Sequence, residues 1–206
     1  HIAACDCTGH GVPGAFVSFI GNDLLNQIIN EQGVENPGKI LTLLNRGMKN
    51  VFTREGAEQQ AQDGMDAAFC CLNTAANGNV SGIARKQILE FAGANNPLIL
   101  IQNGKLKQIR GDKTPIGGET AENYNFTNHR MEVHKGDTFY LFSDGYQDQF
   151  GGTKNKKFMI KRLMELLLSV YTKPMREQKE ILSQTIDQWK GEHEQVDDIC
   201  IIGVRI

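Results

Sequence analysis

Between Asp66 and Ile109 the chain alternates short apolar runs with turn residues. The runs are 66-DAAFCCLN-73, 88-ILEFAG-93, 98-LILI-101 and 105-KLKQI-109, and the punctuation is Asn77-Gly78, Asn95-Asn96-Pro97 and Asn103-Gly104. Nothing else in the sequence restricts the fold as much. An Asn-Gly pair supplies residues that tolerate positive φ, which is what a tight hairpin between two strands requires. The segment therefore reads as an antiparallel meander. Further strands fit 124-YNFTNHRMEV-133, 138-TFYLFS-143 and 199-ICIIGVRI-206.

Helical periodicity brackets the meander. After Pro13, Phe16, Phe19, Ile20, Leu24 and Ile28 recur at three- and four-residue spacings, and Gly33 is placed to end that helix. A second helix begins near Asn36, with Ile40, Leu43, Leu44, Met48 and Val51 on one face. The polar run 53-TREGAEQQAQDG-64 breaks periodicity and reads as a loop. A helical pair is expected over about 156–170 and 174–189, before the closing strand. Helices, a meander, helices and a last strand give an α+β class: a layered domain of antiparallel sheets flanked by helices. At 206 residues, without internal repeats, a single domain spanning 1–206 is expected.

Composition removes several functions. Net charge is −2 with both signs interspersed, so no basic footprint for nucleic acid or a membrane surface is present. No apolar run reaches the length of a membrane span. The five cysteines form no disulfide framework, and four sit in strand-like runs, which predicts a reducing, cytoplasmic setting. The chain opens on 1-HIAAC without Met or a signal pattern, so a fragment of a longer polypeptide is expected.

The stretch 5-CDCTGHGVPGAF-16 holds the densest chemistry. Cys5, Cys7 and His10 lack the second pair of ligands that a zinc site needs. Gly9, Gly11 and Gly14 spell G-x-G-x-x-G, but a Walker lysine is absent and the context is not a βαβ unit. The carboxylate is left. Asp6 ends an apolar strand at a glycine turn; Asp144 follows 138-TFYLFS-143 and precedes Gly145; Asp197 and Asp198 precede the closing strand. Gathered at one end of a sheet, such acids would need a hard cation, Mg²⁺ or Mn²⁺, to ionise together. Taken singly, each is equally an ordinary turn or cap residue. Spacing alone leaves both readings open.

Five segments, in order, resemble the SpoIIE-like branch of the PPM-type metal-dependent serine/threonine phosphatases. 6-DCTGHGVPGAF-16 is similar to D-x-x-G-H-G-x-x-A, and 140-YLFSDGYQDQF-150 to the family's S-D-G segment. 196-VDDICIIGVRI-206 is similar to its terminal D-D strand. 89-LEFAGANNPLILIQNGKLKQI-109 is similar to its A-G-H-N-P-P-L-L hairpin, and 112-DKTPIGG-118 to the P-I/L-G that follows. The resemblance implies two packed antiparallel sheets flanked by helices in an α-β-β-α sandwich, with two Mn²⁺ or Mg²⁺ ions at one end. Asp6 would bridge them, the main-chain carbonyl of Cys7 would ligate one, and Asp144 and Asp197 would complete the other, with Asp198 a lesser neighbour. Water would attack phosphorus in line, without a phosphoenzyme. His10 would protonate the leaving oxygen or structure the loop. Asp148 would be a first-turn charge, and Asp63 or Asp66 a loop acid or a contact to a third ion.

Two departures accompany the resemblance. Ala94 stands where the family has the histidine of A-G-H-N-P-P. The family's preceding strand, with a further metal-site aspartate, would fall before His1. On that basis residues 1–206 by themselves are expected to hold metal weakly or not at all and to turn over poorly. The exposed edge could then pair with a second copy as a homodimer.

The leading functional expectation is a cytoplasmic phosphoserine/phosphothreonine phosphatase, the output domain of a bacterial signalling protein. A sensor domain would lie N-terminal to it, and its phosphoprotein substrate would be an anti-sigma-factor antagonist or similar regulator. The alternative is a phosphatase-fold module that binds a regulatory partner without turnover. A nucleotide-binding domain built on the three glycines is the third reading.

Overall fold

The computed structural model describes residues 1–9, 11–54, 64–73 and 87–206. His10, Asp63, the Asn77-Gly78 turn and most of the polar run 53–64 lie outside the described residues. In chain order the first half contains β1 (Ile2–Cys7), α1 (Gly11–Asn26), α2 (Pro37–Arg54), β2 (Gly64–Asn73), β3 (Gln87–Ala94), β4 (Leu98–Gln102) and β5 (Lys105–Ile109). The second half contains β6 (Ile116–Gly117), β7 (His129–Val133), β8 (Thr138–Phe142), α3 (Gly145–Asp148), β9 (Phe150–Gly151), β10 (Lys156–Lys157), α4 (Ile160–Val170), α5 (Met175–Lys190) and β11 (Ile201–Arg205). They fall into two compact units, His1–Pro97 with Arg110–His134, and Leu98–Ile109 with Lys135–Ile206.

The first unit is an antiparallel sheet of order β1-β2-β3-β7, with β6 added beside β2. Its helices follow from the expected pattern. Asn36 caps α2 by accepting a hydrogen bond from the Lys39 N–H at 2.9 Å, and Pro37 occupies the first turn, where its missing donor costs nothing. Ile40, Leu41, Leu44 and Met48 make one fully buried stripe. They pack with Ala67 and Phe69 of β2 and with Ala92 and Ala94 of β3. Burial of each such Leu or Ile contributes about 1.5–3 kcal/mol. The helix α1 runs on through a π-helical turn, Gln27–Glu31, and ends at Gly33, whose φ of 66° lets the Val34 N–H reach the Ile28 carbonyl at 3.1 Å.

The second unit is a sheet of order β11-β8-β4-β5, with a small β9–β10 ladder beside it. The β4–β5 hairpin turns at Asn103-Gly104, φ 50° and 73°, as the Asn-Gly pair demands. Its core joins Ile99, Ile101, Tyr140 and Phe142 of the sheet to Leu163 and Leu167 of α4 and to Leu182 and Ile186 of α5.

Three expectations are corrected. The segment resembling one hairpin across 89–109 is not one, because β3 and β4 belong to different sheets and only β4 and β5 pair. The turn at 95–97 folds back on itself instead, with the Asn96 N–H on the Ala94 carbonyl and Asn95 at φ 57°. Residues 124–128 are not strand. Their amides are taken by side chains, Phe126 N–H by Thr42 Oγ1 at 3.0 Å and Thr127 N–H by Asp112 Oδ2 at 2.7 Å, while Tyr124 and Phe126 enter the core. Finally, α4 starts at Ile160, not near 156. Lys156 and Lys157 pair with β9, and Met159, at φ 75°, cannot continue a helix.

Candidate metal centre

Asp6 is the penultimate residue of β1, and the register sets it directly opposite Asp66 of β2. Side chains alternate along a strand. Ala3 and Cys7 of β1, with Met65 and Ala67 of β2, pack into the core under α1 and α2. Asp6 and Asp66 therefore project from the other face of that sheet. The Cys7 thiol is turned into the helix side, where burial, opposed by a hydrogen bond with Ser18, holds its pKa above the ordinary thiol value. A protonated thiol is a poor metal ligand, so the sulfur contributes nothing of that kind.

The turn after Asp6 is fixed by Thr8. Its Oγ1 donates to the Gly64 carbonyl at 2.9 Å and accepts from the Gly64 N–H at 2.7 Å, and its own N–H bonds the same carbonyl. A Cβ on Gly14 would stand 2.7 Å from the Gly9 carbonyl oxygen, so α1 can enter only with glycine there. The glycine pattern serves backbone approach. Because β1 and β2 are antiparallel, the dinucleotide-binding reading has no βαβ unit to rest on.

Asp66, expected from the sequence as a loop acid or a contact to a third ion, stands in strand β2 opposite Asp6. Its Oδ1 accepts a hydrogen bond from Asn95 Nδ2 at 2.8 Å, and burial, partly offset by that bond, raises its pKa above the usual carboxylate range. Asn95 is itself anchored, its N–H on the Asp112 carbonyl at 2.8 Å and its left-handed φ fixed by the turn.

In the second unit Asp144 directly precedes α3 and makes no side-chain capping bond to it. The cap account of this residue therefore fails. Carboxylate oxygens of Asp144 and Asp197 lie within 4.8 Å of one another. Two residues flanking Asp144 bring the 197–198 segment in. Ser143, buried, donates from Oγ to the Asp198 carbonyl at 2.8 Å and accepts from the Cys200 N–H at 3.0 Å. A Cβ on Gly145 would meet the Asp198 carbonyl oxygen at 2.3 Å. Asp197 Oδ1 accepts from the Asp198 N–H at 2.7 Å, and Asp198 is held through its main chain.

Gln149 secures the approach to Asp197. Fully buried, it donates to the Glu194 carbonyl at 2.9 Å and accepts from the Val196 N–H at 3.4 Å. Asp148 forms an ion pair with Lys157 at 2.7 Å, which accounts for its charge without a metal. Neither Ser143 nor Gln149 was singled out from the sequence; the only signal was that Ser143 opens the S-D-G motif and Gln149 lies four residues after its glycine.

Two carboxylates held this close repel, and oxygen donors of this kind fit a hard divalent cation. The residues of each unit thus suit Mg²⁺ or Mn²⁺. No helix among the described residues is long and apolar enough to cross a membrane.

The family described as Stage II sporulation protein E (SpoIIE) matches residues 1–206. No curated protein sequence matches the chain. Among solved structures, the SiaA-PP2C domain of Pseudomonas aeruginosa is 28% identical with a TM-score of 0.84, the match covering 99% of this chain and 74% of that one. The PP2C phosphatase domain of SpoIIE from Bacillus subtilis, solved with a fragment of its regulatory domain, is 16% identical with a TM-score of 0.69, covering 98% and 52%. The serine/threonine phosphatase PstP/Ppp of Mycobacterium tuberculosis is 16% identical with a TM-score of 0.62, covering 98% and 86%. A further PstP structure is a complex with two manganese ions. These likenesses show the PP2C fold, two antiparallel sheets with helices.

Proposed function

This chain is a member of the SpoIIE family with the PP2C fold, and on that premise we propose that it is a metal-dependent phosphoserine/phosphothreonine protein phosphatase. The observation that carries the reading is the Asp144–Asp197 pair, with carboxylate oxygens within 4.8 Å and Ser143 and Gly145 holding the two segments together. Asp6 and the Cys7 carbonyl are assigned to the same centre by the family pattern, with Asp144 and Asp197 as the remaining ligands. Asp198, held through its backbone, is a neighbour in this assignment.

Two Mn²⁺ or Mg²⁺ ions held there would offset phosphoryl charge and make water a competent nucleophile at neutral pH. The chain's own residues do the rest. Ser143 and Gln149 keep the 194–198 segment against Asp144, so the carboxylates need no rearrangement to receive substrate. Water forms the new P–O bond as the bond from phosphorus to the serine oxygen breaks. His10 supplies the proton that the departing serine oxygen takes up, a role suited to a group that titrates near neutrality.

The substrate class is a phosphorylated regulator of the anti-sigma-factor antagonist kind, a reading supported by the sequence resemblance. A reducing cytoplasmic setting is supported by the five cysteines, an odd count without the spacings of a disulfide framework. Hydrolysis of a phosphoserine protein with added MnCl₂ tests the activity. Asp144→Asn is expected to lower kcat about 10²–10³-fold, the scale set by losing one group that stabilises developing charge. Equal rates for both proteins would refute the assignment. Partner binding without any turnover would favour the binding-module alternative.

A further inference from the structure

We propose that the β9–β10 hairpin is a docking surface for the phosphoprotein substrate, its Lys157 and Lys154 taking acidic residues that flank the phosphoserine. The inference rests on the phosphatase reading above and names a feature of the substrate that the reading leaves open. Five cations fall in 154-KNKKFMIKR-162, and no acid occurs between Asp148 and Glu165. In a chain of net charge −2 this is a local reversal of sign, and all five residues are exposed.

The hairpin is tied to the segment that carries Asp144. The Phe158 N–H and Trp189 Nε1 both donate to the Gln149 carbonyl, at 3.0 and 3.1 Å. The Met159 N–H donates to the Gln147 carbonyl at 2.7 Å, and the Gly152 N–H to the Trp189 carbonyl at 2.8 Å. Because α3 starts directly after Asp144, these bonds fix the hairpin relative to that carboxylate. Phe150 and Lys157 are cross-strand partners and share one face, with the ammonium 6.0 Å from the ring centre. Lys157 Nζ donates to Asp148 Oδ2 at 2.7 Å. That hydrogen bond, and after it the charges of Asp148 and Asp144, hold the ammonium above the ordinary lysine pKa, against an opposing desolvation effect. Lys157 thus stands in the field of Asp144 itself. An ammonium has three donors, and Asp148 takes one, so an incoming carboxylate finds donors ready. Phe150, 38% exposed, lies beside it as an apolar contact. Lys154 lies three residues on, about 10 Å away at roughly 3.3 Å per residue, the span of about three residues of an extended peptide. Among the described residues it makes no ion pair, whereas Arg162 is already engaged over the Trp189 ring at 4.3 Å. A phosphoserine seated at Asp144 and Asp197 extends its flanking residues along this face.

The test compares two phosphoserine peptides of equal length in MnCl₂, one flanked by glutamates and one by alanines. Wild type is expected to show a KM about threefold lower for the acidic peptide, the scale of one or two exposed ion pairs. The double variant Lys154→Gln/Lys157→Gln should bring that ratio near one, and Lys157→Arg should keep it. NaCl at about 1 M, where the Debye length is about 3 Å, should also abolish it. Asp148→Asn separates docking from a structural ion pair. It keeps the cation and removes a competing charge, so the preference should grow, whereas a merely structural pair would shift both peptides alike in either variant. Equal KM values for the two peptides in wild type overturn the proposal. Equal values joined to Lys157-dependent binding of phosphatidylserine vesicles overturn it too, and assign the patch to a membrane surface. Fluorescence anisotropy of the labelled acidic peptide keeps the two readings apart. Lys157-dependent binding without hydrolysis of either peptide would sink the phosphatase reading and leave the docking surface standing.

Discussion

Gly145 shows how a single missing side chain shapes the centre. A methyl group there would sit 2.3 Å from the Asp198 carbonyl oxygen and 3.3 Å from the Asp197 carbonyl carbon, both backbone atoms that cannot swing aside. Gly145→Ala is therefore predicted to destabilise the fold by about 1–3 kcal/mol, the usual cost of forcing atoms into a packed site. Phosphatase activity should fall further than stability does, because the displaced segment carries Asp197. Denaturant titration beside turnover at saturating Mn²⁺ checks this; an Ala variant with wild-type kcat would show that the contact is incidental. Asp6 and Asp144 were legible as candidates because a carboxylate where a strand meets a glycine turn is a local pattern, and Asp197 because it precedes the closing apolar strand. The pairing of Asp66 with Asp6 and the holding roles of Ser143 and Gln149 were not. Their roles come from partners far along the chain, such as Asp198 for Ser143, 55 residues away.

At the level of elements, α1 meets its surroundings through two glycines of different consequence. A Cβ on Gly14 would stand 2.7 Å from the Gly9 carbonyl oxygen, and one on Gly21 would stand 2.3 Å from the Met65 methyl. A backbone carbonyl in the loop after Asp6 cannot yield without moving that loop, whereas the end of a methionine side chain can. Gly14→Ala should thus depress Mn²⁺-dependent activity sharply, while Gly21→Ala, at a helix interior where Ala is favoured by about 1 kcal/mol, should be close to neutral. Melting temperatures and turnover of the two variants decide it; equal effects would contradict this account. The long periodic helices and the Asn103-Gly104 hairpin were legible because their signals repeat within a few residues. The errors at 124–128 and 156–159 share one cause. Each stretch has strand- or helix-like composition, but its backbone groups are satisfied by distant partners, Thr42 and Asp112 in one case and Gln149 and Gln147 in the other.

Across the molecule, burial sets a limit in alkali. Tyr140, whose hydroxyl donates to Gln178 Oε1 at 2.7 Å, has its pKa pushed up to about 12 by burial, and burial raises that of Tyr146 as well. An unfolded tyrosine loses its proton near pH 10, so between that value and about 12 the unfolded state binds fewer protons. Stability is full below that window and falls as pH rises through it. Unfolding followed by tyrosinate absorbance should move to lower denaturant from pH 10 upward, and Tyr140→Phe should reduce that shift; a flat profile would show that these rings stay out of the balance. The sequence by itself determined the class of fold, the β4–β5 hairpin and the acid type of the candidate centre, because periodicity, turn chemistry and side-chain charge are local properties. Tertiary structure alone decided that Asp66 faces Asp6, and that Asp197 comes within 4.8 Å of Asp144. Both depend on strand register and on long-range backbone bonds, and a one-residue slip would send every side chain of the strand to the other face.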